Sequence, residues 1–126
     1  MNDAARYILI TGALLAMLAV ILGAFGAHAL KKTLTDDMLT VYKTAVDYHF
    51  IHALGIILIG ILIKQNPEST LLFASAVSLI IGVVVFSGSL YALSLTETRI
   101  LGMITPLGGL AFIIGWLLMA VGIFRL

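Results

Sequence analysis

Residues 7–30, YILITGALLAMLAVILGAFGAHAL, decide the fold. A bilayer core of about 30 Å is crossed by about 20 apolar residues at 1.5 Å rise each, and this run contains no Asp, Glu, Lys or Arg. Arg6 and Tyr7 stand at its edge as an interfacial anchor pair. Arg6, the apolar run Ile8–Leu22 and the triplet Ala27-His28-Ala29 also have the outline of a cleavable leader, but the run is long enough to span and reads as a transmembrane helix. Inside it Gly12, Ala16, Ala19, Gly23 and Gly26 recur at alternating spacings of four and three. That is a stripe of small residues on one face, the means by which helices approach closely in lipid. The run closes on Gly23-Ala24-Phe25-Gly26-Ala27-His28-Ala29-Leu30, which ends in a titratable imidazole just before Lys31 and Lys32.

Composition carries the same message outward. Apolar residues make up 62% of the chain and charged residues 10%, with a mean hydropathy of +1.20. A soluble domain is roughly 45–50% apolar and about 25% charged. This chain lacks the polar surface to cover itself, so it reads as an integral membrane protein. A net charge of +1 supplies no field for nucleic acid. The absence of cysteine removes disulfides, thiolate metal sites and a cysteine nucleophile.

After a polar turn at Lys31–Thr35, Thr35 is a candidate N-cap, with Asp36 and Asp37 in the first turn, where the helix dipole favours carboxylates, and Leu34 placed to staple onto Leu39. Met38, Val41, Tyr42, Ala45, Val46, His49 and His52 then follow helical spacing. The strictly apolar part, Ala53–Ile63, is too short to span alone. The second helix is therefore expected to start amphipathic at the membrane surface and then enter the bilayer. Pro67 stops it within the turn Lys64–Ser69. A third span carries Ser75, Ser78, Gly82 and Ser89 on one face, and a fourth takes Pro106 in its first turn and carries Gly108, Gly115 and Gly122 at sevenfold spacing.

The expected fold is all-α. It is a four-helix transmembrane bundle of two helical hairpins forming one integral membrane domain over 1–126, with spans at about 7–30, 47–63, 70–95 and 104–124 and a surface helix at about 36–47. Four spans put both termini on one side. Lys31, Lys32, Lys43 and Arg99 against Arg6, Lys64 and Arg125 leave the orientation undecided by charge. Phe25–Leu30 and Phe86–Leu93 share an order of residues that suggests a weak internal repeat of two parallel hairpins, and chance in a chain rich in small residues explains it about as well.

This topology brings polar residues toward one membrane face. His28 ends span one, His49 and His52 open span two beside Asp47 and Tyr48, Ser87, Ser89 and Tyr91 end span three, and Thr105 opens span four. The other half of the bundle is nearly featureless apart from Trp116. Ionisable groups at membrane depth point to function. Three readings stand side by side for His28, His49 and His52: three nitrogens for a metal, a proton relay, or interhelical hydrogen bonds worth about 0.6–2 kcal/mol. Asp47 follows Lys43 by four residues, as in a solvated ion pair. Ser89, His52 and Asp47 make a triad only on paper, since no nucleophile elbow is present. No catalytic residue and no cofactor is assigned.

Gly23-Ala24-Phe25-Gly26-Ala27-His28, Tyr48-His49-Phe50-Ile51-His52-Ala53-Leu54, Phe86-Ser87-Gly88-Ser89-Leu90-Tyr91 and Ile104-Thr105-Pro106-Leu107-Gly108-Gly109, with Gly115-Trp116, occur in that order. Together they resemble the domain-of-unknown-function 423 family, small bacterial inner-membrane proteins similar to the eukaryotic transmembrane protein 256. The resemblance covers nearly the whole chain. It implies a four-span protein of the inner (cytoplasmic) membrane and brings no activity or site residues with it. Glu97 departs from it, at a place where a glycine is expected.

The function expected from these readings is that of a binding, accessory or assembly protein rather than an enzyme, with a polar pocket on the connection side lined by His28, His49, His52, Ser87, Ser89, Tyr91 and Thr105. Its partners would be the lipid bilayer and either further copies of itself or a larger membrane assembly. The alternative is a small oligomeric transporter or channel for protons, ions or a small solute.

Overall fold

The computed structural model describes residues 1–126, and every regular element in it is helical. Helix α1 runs Asp3–His28. It begins four residues before the expected edge at Tyr7, because the Asn2 side chain accepts from the Ala5 N–H at 2.8 Å and Asp3 pairs with Arg6 at 3.2 Å. A 3-10 turn, Leu30–Lys32, follows. Helix α2 is one uninterrupted helix, Asp36–Gln65, of 30 residues. Its start is set by Thr35, whose hydroxyl accepts from the Met38 N–H at 3.2 Å. At about 45 Å it is longer than a bilayer core of about 30 Å, so its polar first turns project beyond the hydrocarbon.

Helix α3 spans Thr70–Thr96, capped by Ser69, whose hydroxyl accepts from the Leu72 N–H at 3.3 Å. It is α-helical to Gly82, π-helical over Val83–Ser87, and α-helical again over Gly88–Thr96. Helix α1 has no such interruption, so the similar order of residues at Phe25 and Phe86 does not extend to local structure. The chain leaves α3 through Glu97 in the left-handed region, at φ 54. A glycine occupies that region without a Cβ clash, which is the physical content of the glycine expected there. A 3-10 turn, Arg99–Met103, leads into α4, Thr105–Phe124, with Pro106 in its first turn.

The helices alternate in direction. Gly12 faces Ala53 and Ile57 while Gly26 faces Tyr42, so α1 and α2 are antiparallel. Ser87 meets Ala45, and Ser75 meets Gly115 while Ser78 meets Ala111, so α2, α3 and α4 alternate as well. Both termini therefore lie at one end. Helix α1 packs chiefly on α2 and α4 on α3, which makes two hairpins joined where α2 meets α3.

The expected small-residue stripes are the contact lines. A Cβ on Gly12 would come within 2.7 Å of the Ile57 side chain, one on Gly115 within 2.9 Å of Leu79 Cγ, and one on Gly122 within 3.1 Å of Leu72. Gly23 faces Val46, Gly82 faces Phe112, Ala19 is buried and Ala16 half-buried. At Gly108 the neighbour is backbone: a Cβ would sit 2.7 Å from Phe86 Cα. The outer faces of α1 and α4 are apolar and open, with Val20 at 59% and Ile113 at 66% exposure. Such faces suit lipid.

Gly108→Ala should cost several kcal/mol or abolish folding, because two backbones must separate. Gly88→Ala, whose Cβ would meet nothing within 4 Å, should be neutral or stabilising by about 0.5–1 kcal/mol through helix propensity. Glu97→Gly should stabilise by about 1 kcal/mol by relieving the left-handed strain. Thermal unfolding of the three variants in detergent checks all of these.

Candidate functional site

Helix α2 carries both buried histidines, and they face different neighbours. His49 is 2% exposed. Its Nδ1 lies 2.8 Å from the Tyr91 hydroxyl of α3, while its Nε2 is buried without a hydrogen-bond partner. The Leu15 carbonyl of α1 lies beside the ring without completing a bond. Tyr91 packs on Tyr42 at 5.4 Å between ring centroids, and the Tyr42 hydroxyl donates to the Leu22 carbonyl of α1. Gly26 is what admits the Tyr42 ring, since a Cβ there would overlap it. One line thus ties α1, α2 and α3 together through two tyrosines and a histidine.

His52, three residues further on, bridges to α4. The Trp116 Nε1–H donates to His52 Nε2 at 3.1 Å. That nitrogen therefore carries the lone pair, and the proton sits on Nδ1, which donates to the Tyr48 carbonyl at 2.7 Å. Both ring nitrogens are satisfied by the neutral imidazole. Phe112 stacks on the His52 ring at 3.6 Å, and Tyr48 packs against Phe86 at 4.5 Å. Gly55 makes room for the indole, because a Cβ there would lie 2.8 Å from it. Trp116, which by sequence falls in the featureless half, is thus the interhelical partner of His52. One signal pointed to it: the indole sits eight residues before the end of α4 at Phe124, about 12 Å inside. A belt tryptophan belongs at the interface, whereas an indole N–H deep in lipid needs an acceptor.

Two further hydroxyl contacts also cross between helices. Ser87 donates to the Ala45 carbonyl at 2.9 Å. Ser89 and Thr105 share a hydrogen bond of 2.6 Å, joining α3 to α4.

Three expectations change. His28 is exposed at the end of α1, away from the buried His49 and His52, so the three nitrogens proposed for a metal do not assemble. No three His, Asp or Glu residues stand together anywhere. The polar residues do not line one pocket either. His49, with Tyr91, and His52, with Trp116, belong to separate pairs, and a surface groove of about 630 Å³ lies at the opposite end of the bundle between Gln65–Leu71 and Gly122–Leu126. Lys43 and Asp47 are not an ion pair within 4 Å, since the only salt bridge is Arg6–Asp3. Both line a small crevice of about 100 Å³ beside Gly23 and Gly26.

His52→Ala removes two hydrogen bonds and strands the Trp116 N–H. His49→Ala removes one and deletes a nitrogen that is already unpaired. Thermal unfolding in detergent should therefore show the larger loss for His52→Ala. Trp116→Phe should cost about 0.6–2 kcal/mol, the worth of one interhelical bond in lipid.

The comparisons with known proteins agree with the architecture. The family model described as "Protein of unknown function (DUF423)" matches residues 22–109. The UPF0382 membrane protein YwdK of Bacillus subtilis (strain 168) is 46% identical over 116 residues, 92% of this chain and 94% of that protein. The UPF0382 membrane protein SH2409 of Staphylococcus haemolyticus (strain JCSC1435) is 46% identical over 125 residues, 95% of this chain and 97% of its own length. The UPF0382 inner membrane protein YgdD of Escherichia coli (strain K12) is 40% identical over 121 residues, 96% of this chain and 92% of its own length. No solved structure gives a significant match. With four helices long and apolar enough to cross a bilayer and relatives that match it nearly end to end, the chain is an integral membrane protein of the DUF423 family, a family to which no biochemical activity is assigned.

Proposed function

We propose that the chain is a non-enzymatic binding or assembly protein of the inner (cytoplasmic) membrane, acting as a homo-oligomer or as a subunit of a larger membrane complex. One observation carries this reading. Five polar side chains within the spans are engaged with neighbouring helices: His49 with Tyr91, His52 with Trp116, Ser87 with the Ala45 carbonyl, and Ser75 and Ser78 with carbonyls of α4. Groups tied in this way hold helices together. The large apolar faces that remain, on α1 and α4, are the ones open to lipid or to a partner. The Escherichia coli relative is called an inner membrane protein, which supports that location, with both termini on one side.

The test is native mass spectrometry of the full chain taken from its own membranes in lipid, alongside flux measurements in liposomes. A defined homo-oligomer or a stoichiometric membrane partner is expected, with proton and ion leakage equal to that of protein-free vesicles. A monomer without a partner overturns the assembly reading. Specific flux overturns it in favour of a transporter.

A further inference from the structure

Helix α3 holds a conflict between two faces, and the π-helical turn is where it is resolved. The buried line of its first part is Leu72, Ala76, Leu79 and Val83, spaced four, three and four. Continued as an ordinary α-helix, the same line runs through Phe86, Leu90 and Leu93, all apolar. The structure does not follow it. The N–H of Gly88 bonds to the carbonyl of Val83, five residues back. This inserts one extra residue and turns everything after it by about 100°. The line then becomes Ser87, Tyr91 and Ser94, each one position beyond its apolar counterpart, with Ser87 and Tyr91 bonded to α2. Ser87 and Ser94 are fully buried, and Phe86, Leu90 and Leu93 are only half-buried.

We propose that residues 83–96 form a two-register element. In the register seen here the π turn sets Ser87 and Tyr91 against Ala45 and His49. In the other the turn is absent, Phe86 and Leu90 take those two places, and His49 Nδ1 is released. Both registers place a continuous line of residues toward α2, one polar and one apolar, and the apolar one requires α2 to yield at the fully buried Ser87 position. Apolar side chains gain little by leaving lipid for protein, while a serine and a tyrosine need partners, and this favours the polar register in a bilayer. The margin is three interhelical side-chain hydrogen bonds, Ser87 to Ala45, Tyr91 to His49 and Ser89 to Thr105. Two features ease the exchange. Gly88 follows the turn with open space where a Cβ would stand, and His49 already has one nitrogen unpaired.

The exchange would couple the two histidines. Phe86 leaves the rings of Tyr48 and Phe112, at 4.5 and 5.4 Å, and Phe112 is the ring stacked on His52. A partner or polar ligand that takes up the freed His49 nitrogen would thereby alter the α2–α4 contact. This goes beyond the assembly reading and does not depend on it.

Deleting Val84, which is 64% exposed, removes the inserted residue and leaves both flanks in the present register of an uninterrupted helix. Nitrogen-15 NMR of the full chain in bilayers should show two sets of His49 imidazole signals in the natural sequence, one bonded to Tyr91 and one free. The deletion should retain the bonded set alone. One identical set in both chains overturns the proposal. Should the deleted chain fail to insert, the structure of S87A/S89A/Y91F decides. Without the three bonds, an unbroken α-helix with Phe86 facing Ala45 is expected, and a retained π turn with position 87 still facing Ala45 overturns the proposal.

Discussion

A leucine inside a bilayer gains almost nothing by leaving lipid for protein, so apolar burial cannot be what holds these four helices together. Two other forces remain, close backbone approach and interhelical hydrogen bonding, and the structure is arranged around both. Glycines stand where backbones or rings must come near: Gly12 and Gly26 against α2, and Gly108, Gly115 and Gly122 against α3. Hydroxyls and imidazoles stand where one helix can reach another. Several of these bonds end on backbone carbonyls, such as those of Ala45, Ala111 and Gly115. A helical carbonyl keeps a second lone pair after its own ladder bond, so it accepts a neighbour's hydroxyl without breaking the helix.

The same constraint makes α2 the organising element. It receives α1 along the glycine stripe, α3 through Ser87 and Tyr91, and α4 through Trp116. Two histidines three residues apart on one helix serve different neighbours, because a ring at each position points about 60° from the other around the axis. His52 has its full complement of bonds and acts as a fixed strut. His49 lacks one, at Nε2, although its ring is buried. The π turn lies across from it in α3, so the least satisfied side chain and the least regular backbone are neighbours.

Much of the fold was legible because local chemistry sets helix ends. Thr35 and Ser69 cap α2 and α3 through their own hydroxyls, and Pro106 sits in the first turn of α4. These depend on residues three or four apart and need no knowledge of the rest of the molecule. The small-residue stripes were legible for a related reason: side-chain spacing on a helix is fixed, so a stripe in the sequence is a stripe in space. Glu97 shows the limit from the other side. The family resemblance implied a glycine there, a residue that suits the left-handed region, and this chain places a glutamate in that turn.

The candidate site was legible only as a set of residue types at one end. Which residue meets which was decided by rotation of the helices about their axes, and the polar spacing does not encode that. His28 belonged to the set by level in the membrane yet faces outward, whereas Trp116 lay outside the set and completes His52 across 64 residues of chain. The π turn is the clearest case. The apolar periodicity of α3 continues unbroken through Phe86, Leu90 and Leu93, so the sequence by itself determined a helix, its length and its ends. Tertiary structure alone decided that the last third of it turns about 100° out of that pattern, because in lipid a hydroxyl without a partner costs more than a phenylalanine left on the outside.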